Sequence, residues 1–84
     1  MENINTMNWE EIDGKLEANF KFKSQTELAE FILKIAQYAD KINHHPDYRI
    51  HKAYQLEIKI FSHDLNKITP SDHQLANFIS TIKN

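Results

Sequence analysis

Asp13-Gly14-Lys15-Leu16-Glu17-Ala18-Asn19-Phe20-Lys21-Phe22-Lys23-Ser24-Gln25-Thr26-Glu27 is the run from which the fold can be read. Asp-Gly is a strong hairpin signal, because a two-residue turn needs positive φ. After it the chain alternates without a break. Leu16, Ala18, Phe20 and Phe22 fall on one side, and Lys15, Glu17, Asn19, Lys21 and Lys23 on the other. That is period two, a strand with one dry face and one wet face. Residues 8–12, with Trp9 and Ile12, supply the other arm of the hairpin. Ser24-Gln25-Thr26-Glu27 then has the form of a capping box. The serine hydroxyl accepts from an early helical N–H, and Glu27 is expected to reach back to the Ser24 N–H.

Outward from this run the pattern changes to helical. Leu28, Phe31, Ile32, Ile35, Ala36 and Ala39 are spaced by one, three and four, which gives one apolar stripe. The stripe stops just before Asp40-Lys41-Ile42-Asn43-His44-His45-Pro46. Proline steers the residue before it out of the helical region, so the helix ends here and both imidazoles fall on the loop beyond it. Asp40 faces the negative pole of the helix, a placement that costs about 0.3–1 kcal/mol. Such a local conflict is a pointer to function.

Beyond Pro46, Tyr48 and Ile50 share one face of a short strand. Residues 53–62 read as a longer one, with Leu56, Ile58 and Ile60 inward, and His63 and Asp64 fall at its end. A polar loop, 65–68, leads to Thr69-Pro70-Ser71-Asp72, which opens a last helix with threonine as cap, proline first and an acid in the first turn. Leu75, Phe78, Ile79 and Ile82 form its stripe. The order is β-β-α-β-β-α, and the simplest packing is an α+β domain. A four-stranded antiparallel sheet carries two helices on one face. The 84 residues make a single domain, with 1–7 as a loose arm.

Composition narrows the function. A chain this short buries only roughly 60–65% of its unfolded surface, and without cysteine it has no disulfide to staple it. Association into homodimers or homotetramers is the expected source of further burial and of cover for the sheet edges. Ten Lys and Arg against twelve Asp and Glu give no clustered positive charge, so nucleic acid is not an expected partner. No apolar run approaches the ~20 residues of a membrane span, and no signal-peptide pattern opens the chain. A soluble cytoplasmic protein is expected. One glycine excludes a glycine-rich phosphate loop.

The residues that carry chemistry are His44, His45 and His63, with Asp40, Asp64 and Asp72 as carboxylate partners. Imidazoles give and take protons near neutral pH, and a neighbouring carboxylate fixes the tautomer. A solvated loop accounts equally for these histidines by composition alone, and a capping role alone accounts for Asp72. His51 and His73 are assigned to the surface. A metal site is disfavoured: there is no cysteine, no His-Glu-x-x-His, and adjacent histidines on extended chain point apart. No glycine-flanked serine elbow is present.

Asp40-x-x-x-His44-His45-Pro46, a later His63 and a later Asp72 resemble the motif of the pterin-4a-carbinolamine dehydratases. Asn8-Trp9-Glu10-Glu11, residues 16–22 and Leu75-Ala76-Asn77-Phe78-Ile79 extend the similarity over nearly the whole chain. The resemblance implies the fold just derived, with the family's additional N-terminal helix absent. It also implies a metal-free and cofactor-free dehydratase acting on a pterin. His45 and His63 would be acid and base, and His44 would orient the pterin and share the proton work. Asp40, Pro46 and Asp72 would orient or support the site, with Asp72 serving the His63 region. Some members are transcriptional dimerisation cofactors, so a pterin-binding or protein-binding module is the alternative. The chain departs from the family at one point: Ala53 stands where an aromatic is expected, with Tyr54 beside it.

Overall fold

A computed structural model describes residues 9–62, 64–65 and 67–83. The expectation of a loose arm over 1–7, without a first helix, lies outside the described residues. Six elements follow in the expected order: β1 (Glu10–Ile12), β2 (Lys15–Lys21), α1 (Gln25–Ile42), β3 (Asp47–His51), β4 (Gln55–Ile60) and α2 (Pro70–Lys83). The strands form one antiparallel sheet in the order β1-β2-β4-β3.

Asp13 and Gly14 take φ of 52° and 77°, and Ile12 pairs with Lys15 across the turn they make. This register sends the apolar side of β2 to one face. On that face Leu16, Ala18 and Phe20 stand opposite Ile60, Ile58 and Leu56 of β4. All six are buried, together with Leu28, Phe31 and Ile35 of α1 and Leu75, Ala76 and Ile79 of α2. Both helices therefore cover the same face. The opposite face carries ion pairs, Arg49–Glu57 at 3.0 Å and Lys59–Glu17 at 3.9 Å.

The structure departs from the sequence-based expectations in four places. β4 begins at Gln55, not at 53, because Lys52 and Ala53 both take positive φ, 53° and 66°, in the hairpin turn. The turn is fastened from outside: Phe22 N–H donates to the Tyr54 carbonyl at 3.0 Å, and the Gln25 amide to the Ala53 carbonyl at 3.3 Å. Ala53 thus lies in a turn at the opposite end of β3 from His44. β4 also stops at Ile60, before Asp64, and a bridge between Ser62 and Lys67 closes the following loop. In the first capping box, Ser24 accepts from Glu27 N–H at 3.1 Å, but Glu27 accepts from Lys23 N–H at 3.3 Å, one residue earlier than the motif specifies. Finally, the buried face of α2 is turned toward Ala76 and Ser80, while Phe78 and Ile82 are only partly covered. Phe78 is covered by stacking on Tyr38 of α1, with ring centroids 3.9 Å apart.

Candidate active site

The end of α1, the start of β3, the segment leaving β4 and the start of α2 converge on one cavity. Its volume is about 620 Å³, within the range of small-molecule sites. The cavity is bordered by residues 43–47 on one side and by Ser62, Asp64, Leu65, Thr69 and Ser71 on the other.

His44 is placed by the way α1 ends. Asn43 adopts the left-handed conformation, φ 56° and ψ 44°. The His44 N–H then reaches back to the Ala39 carbonyl at 3.0 Å and the Asn43 N–H to the Asp40 carbonyl at 3.3 Å. These two bonds are the Schellman pattern, with asparagine in the position glycine usually fills. Carbonyls that the helix end would leave unpaired are satisfied, and His44 is folded back beside the helix terminus. Pro46, buried in the wall, follows two residues later.

Asp72 meets His44 from the other side. It is fully buried, and its Oδ1 is bonded to His44 Nε2. Its Oδ2 accepts from Thr69 N–H at 2.7 Å, from the Ser62 hydroxyl at 3.1 Å and from the Thr69 hydroxyl at 3.2 Å. Burial of a carboxylate is costly unless it is paired and hydrogen-bonded, and Asp72 is both. Capping and histidine pairing are thus carried by different oxygens of one side chain. Asp40 Oδ1 lies 2.8 Å from His45 Nε2. This second pair is open to solvent, with the side chains of His45 and Asp40 52% and 77% exposed.

The two pairs fix the tautomers. An ionised carboxylate can only accept, so each imidazole carries a proton on Nε2. Nδ1 is then the nitrogen without a protein partner among the described residues. A neutral imidazole can take a proton there, and an imidazolium can give one. Although the two histidines are adjacent and bond to different carboxylates, both border the same cavity.

Tyr48 of β3 has a buried hydroxyl with no hydrogen-bond partner among the described residues. Burial first, and the Asp40 charge second, push its pKa up to about 12, so it stays protonated near neutral pH.

Among the sequence-derived candidates, His44, His45, Asp40, Asp72 and Pro46 come together. Asp64 borders the cavity as well. His63 lies outside the described residues, and so does the expectation that Asp72 serves it. His51, at the far end of β3, and His73, exposed on α2, are not part of the cavity. Sequence reasoning did not reach Ser62, Asn43 or the hydroxyl role of Thr69. Nothing in the local pattern distinguishes Ser62, because its partners are distant in the chain. Among the described residues, no three His, Cys, Asp or Glu side chains converge as ion ligands, and no helix is long and apolar enough to cross a membrane.

Comparison with known proteins places the chain in a family and matches its fold. A protein of Prochlorococcus marinus named "Putative pterin-4-alpha-carbinolamine dehydratase" is 38% identical over 76 residues, covering 89% of this chain and 77% of that one. The crystal structure of a transcriptional coactivator/pterin dehydratase from Brucella melitensis superposes with a TM-score of 0.85 at 25% identity, over 92% of this chain and 83% of that one. A pterin dehydratase-like protein identified as a RuBisCO assembly factor shares the fold, with a TM-score of 0.69 at 15% identity over 88% and 84%. The family model for pterin 4 alpha carbinolamine dehydratase matches residues 2–82, and the chain belongs to that family.

Proposed function

We propose that this protein is a cytoplasmic, oligomeric lyase that dehydrates 4a-hydroxytetrahydropterin to the quinonoid dihydropterin by histidine acid–base catalysis. The reaction has two proton needs. The C4a–O bond breaks as a proton is delivered to the departing hydroxyl, which leaves as water. A ring N–H gives up its proton as the new double bond forms. No net oxidation occurs, and paired imidazoles meet both needs. The observation that carries the reading is the presence of two carboxylate-held imidazoles on one cavity of ligand size.

Within this reading His45 serves as one proton-transfer group through Nδ1. His63 is the second on the strength of the family motif, and His44 orients the pterin. Pro46 shapes the wall. Each transfer contributes about 10²–10⁴-fold. Association through the sheet edges, where β1 and β3 have no outer neighbour among the described residues, belongs to the same reading.

A protein-binding module, a role carried by the name of the Brucella relative, would call for an exposed apolar stripe on α1. The stripe of Leu28, Phe31, Ile35 and Ala39 is turned inward. The test is turnover of freshly generated 4a-hydroxytetrahydropterin followed by ultraviolet absorbance. The native chain should exceed the spontaneous rate, with collapse in His45→Ala and in His63→Ala. Equal rates with and without protein would move the assignment to a binding module.

A further inference from the structure

Thr69 does not use its hydroxyl as a helix cap ordinarily does. In a capping box the cap hydroxyl accepts from the N–H three residues on. Here the Asp72 N–H is directed to the Thr69 carbonyl at 3.0 Å, which also receives the His73 N–H at 3.2 Å. The Thr69 hydroxyl is thereby released sideways. It lies 2.8 Å from the Ser62 hydroxyl and 3.2 Å from Asp72 Oδ2, and Ser62 is 3.1 Å from the same carboxylate oxygen.

These three oxygens form a triangle with two hydroxyl protons. Only one proton can lie along the Ser62–Thr69 edge, so the other is directed at Asp72 Oδ2. Ser62 belongs to no strand or helix and is held by its backbone, through its N–H to the Lys67 carbonyl at 3.1 Å. Its side chain is not needed for that bridge. The geometry points to Ser62 and Thr69 as a positioning pair that holds the Asp72 carboxylate, and through it the His44 imidazole, in one orientation at the cavity.

Asp72 makes its one contact with His44 through Oδ1, and a carboxylate turns about its Cβ–Cγ bond. The Thr69 N–H alone is a single pivot. The linked hydroxyls add a second donor to Oδ2 and tie it, through Ser62, to a separate segment of chain, which stops that rotation. Groups that orient a functional histidine's partner commonly change activity by about 10–100-fold when lost, as for the outer partners of metal-bound histidines. The inference rests on the dehydratase reading for its catalytic consequence but not for its structural one.

The test uses the full chain with labelled histidine. The Nε2–H proton of His44 is followed by NMR for chemical shift and for exchange with water. Ser62→Val and Ser62→Thr are compared as a pair, since they match in shape and differ by the hydroxyl. Thr69→Val and Thr69→Ser form a second pair, and Arg49→Ala on the wet sheet face is the control. The hydroxyl-free variants should move the His44 resonance and speed its exchange about 10-fold or more, while the hydroxyl-bearing variants and the control keep it near native. In turnover the same variants should lower kcat about 10-fold with KM within about twofold. Equal His44 signals within each pair would overturn the inference, whether or not the protein turns over pterin. Altered signals in a protein without turnover would uphold the positioning role and remove the dehydratase reading instead.

Discussion

The Trp9 indole N–H donates to the Ser80 hydroxyl at 2.8 Å, joining residues 71 positions apart. Ser80 is 2% exposed, and the indole also meets Phe20 edge to face at 6.3 Å. The bond closes the β1 side of the sheet onto α2. Ser80→Ala leaves the indole donor without its partner and should cost about 1–2 kcal/mol. Urea denaturation checks this, and Trp9→Phe with Ser80→Ala should cost less than the sum of the two single changes.

The two histidine–carboxylate pairs differ in what they contribute to stability. Asp72→Ala removes the acceptor of the Thr69 N–H and of a part-buried hydroxyl, and a loss of about 2–3 kcal/mol is expected. Asp40→Ala breaks an exposed pair and should change stability by less than about 1 kcal/mol. It also relieves the charge at the helix C-terminus, which offsets part of that. Thermal unfolding of the two variants side by side checks the contrast. In turnover both should fall, so an activity loss without a stability loss marks Asp40.

Tyr48 gives the fold a weakness in alkali. Its folded pKa of about 12 lies above the ordinary tyrosine value of 10.0, so the folded state holds the phenol proton more tightly. This contribution is complete below pH 10 and is lost as pH rises from 10 through 12. Tyr48→Phe should flatten that decline. It also removes a buried hydroxyl that has no partner among the described residues, with a gain of about 1 kcal/mol at neutral pH. Equilibrium unfolding of both proteins at pH 8 and pH 11 reads the difference.

Backbone substitutions separate the left-handed positions. Ala53, at φ 66°, has no side-chain reason to occupy that region. Ala53→Gly should stabilise by about 0.5–1 kcal/mol, the relief of Cβ crowding exceeding the added freedom of the unfolded chain. Asn43→Gly should be nearly neutral, and Asn43→Val should cost about 1–2 kcal/mol. Because His44 follows directly, the valine variant should also lower kcat. Calorimetry and turnover on the same samples check both.

The element order was legible because the hydrophobic periods are clean and the stops are chemical. Asp13-Gly14, Ser24 and Thr69-Pro70 each mark a boundary by a local rule. The turn at Lys52-Ala53 was not legible, because neither residue favours positive φ. Its conformation is fastened from elsewhere, by Phe22 and Gln25. The same limit applied to the site. His44, His45 and Asp40 lie within one helix end, where a sequence motif can show them. The bond from Asp72 to His44 spans 28 residues and the bond from Ser62 to Asp72 spans 10. From sequence a cap alone accounted for Asp72 and the family motif set it beside His63, and only the fold showed that its second oxygen meets His44. The rotation of α2 toward Ser80 had the same origin, since Trp9 reaches it only in three dimensions.

One imidazole leans on a carboxylate sealed from water, and its neighbour leans on one that water surrounds. Dissolved salt acts on these unequally. The Debye length falls from about 10 Å at 0.1 M to about 3 Å at 1 M, which weakens exposed charge pairs and spares buried ones. Ionic strength is therefore a handle on His45 that leaves His44 almost untouched. In such a molecule the salinity of the surroundings loosens one histidine–carboxylate pair, while the other keeps its setting.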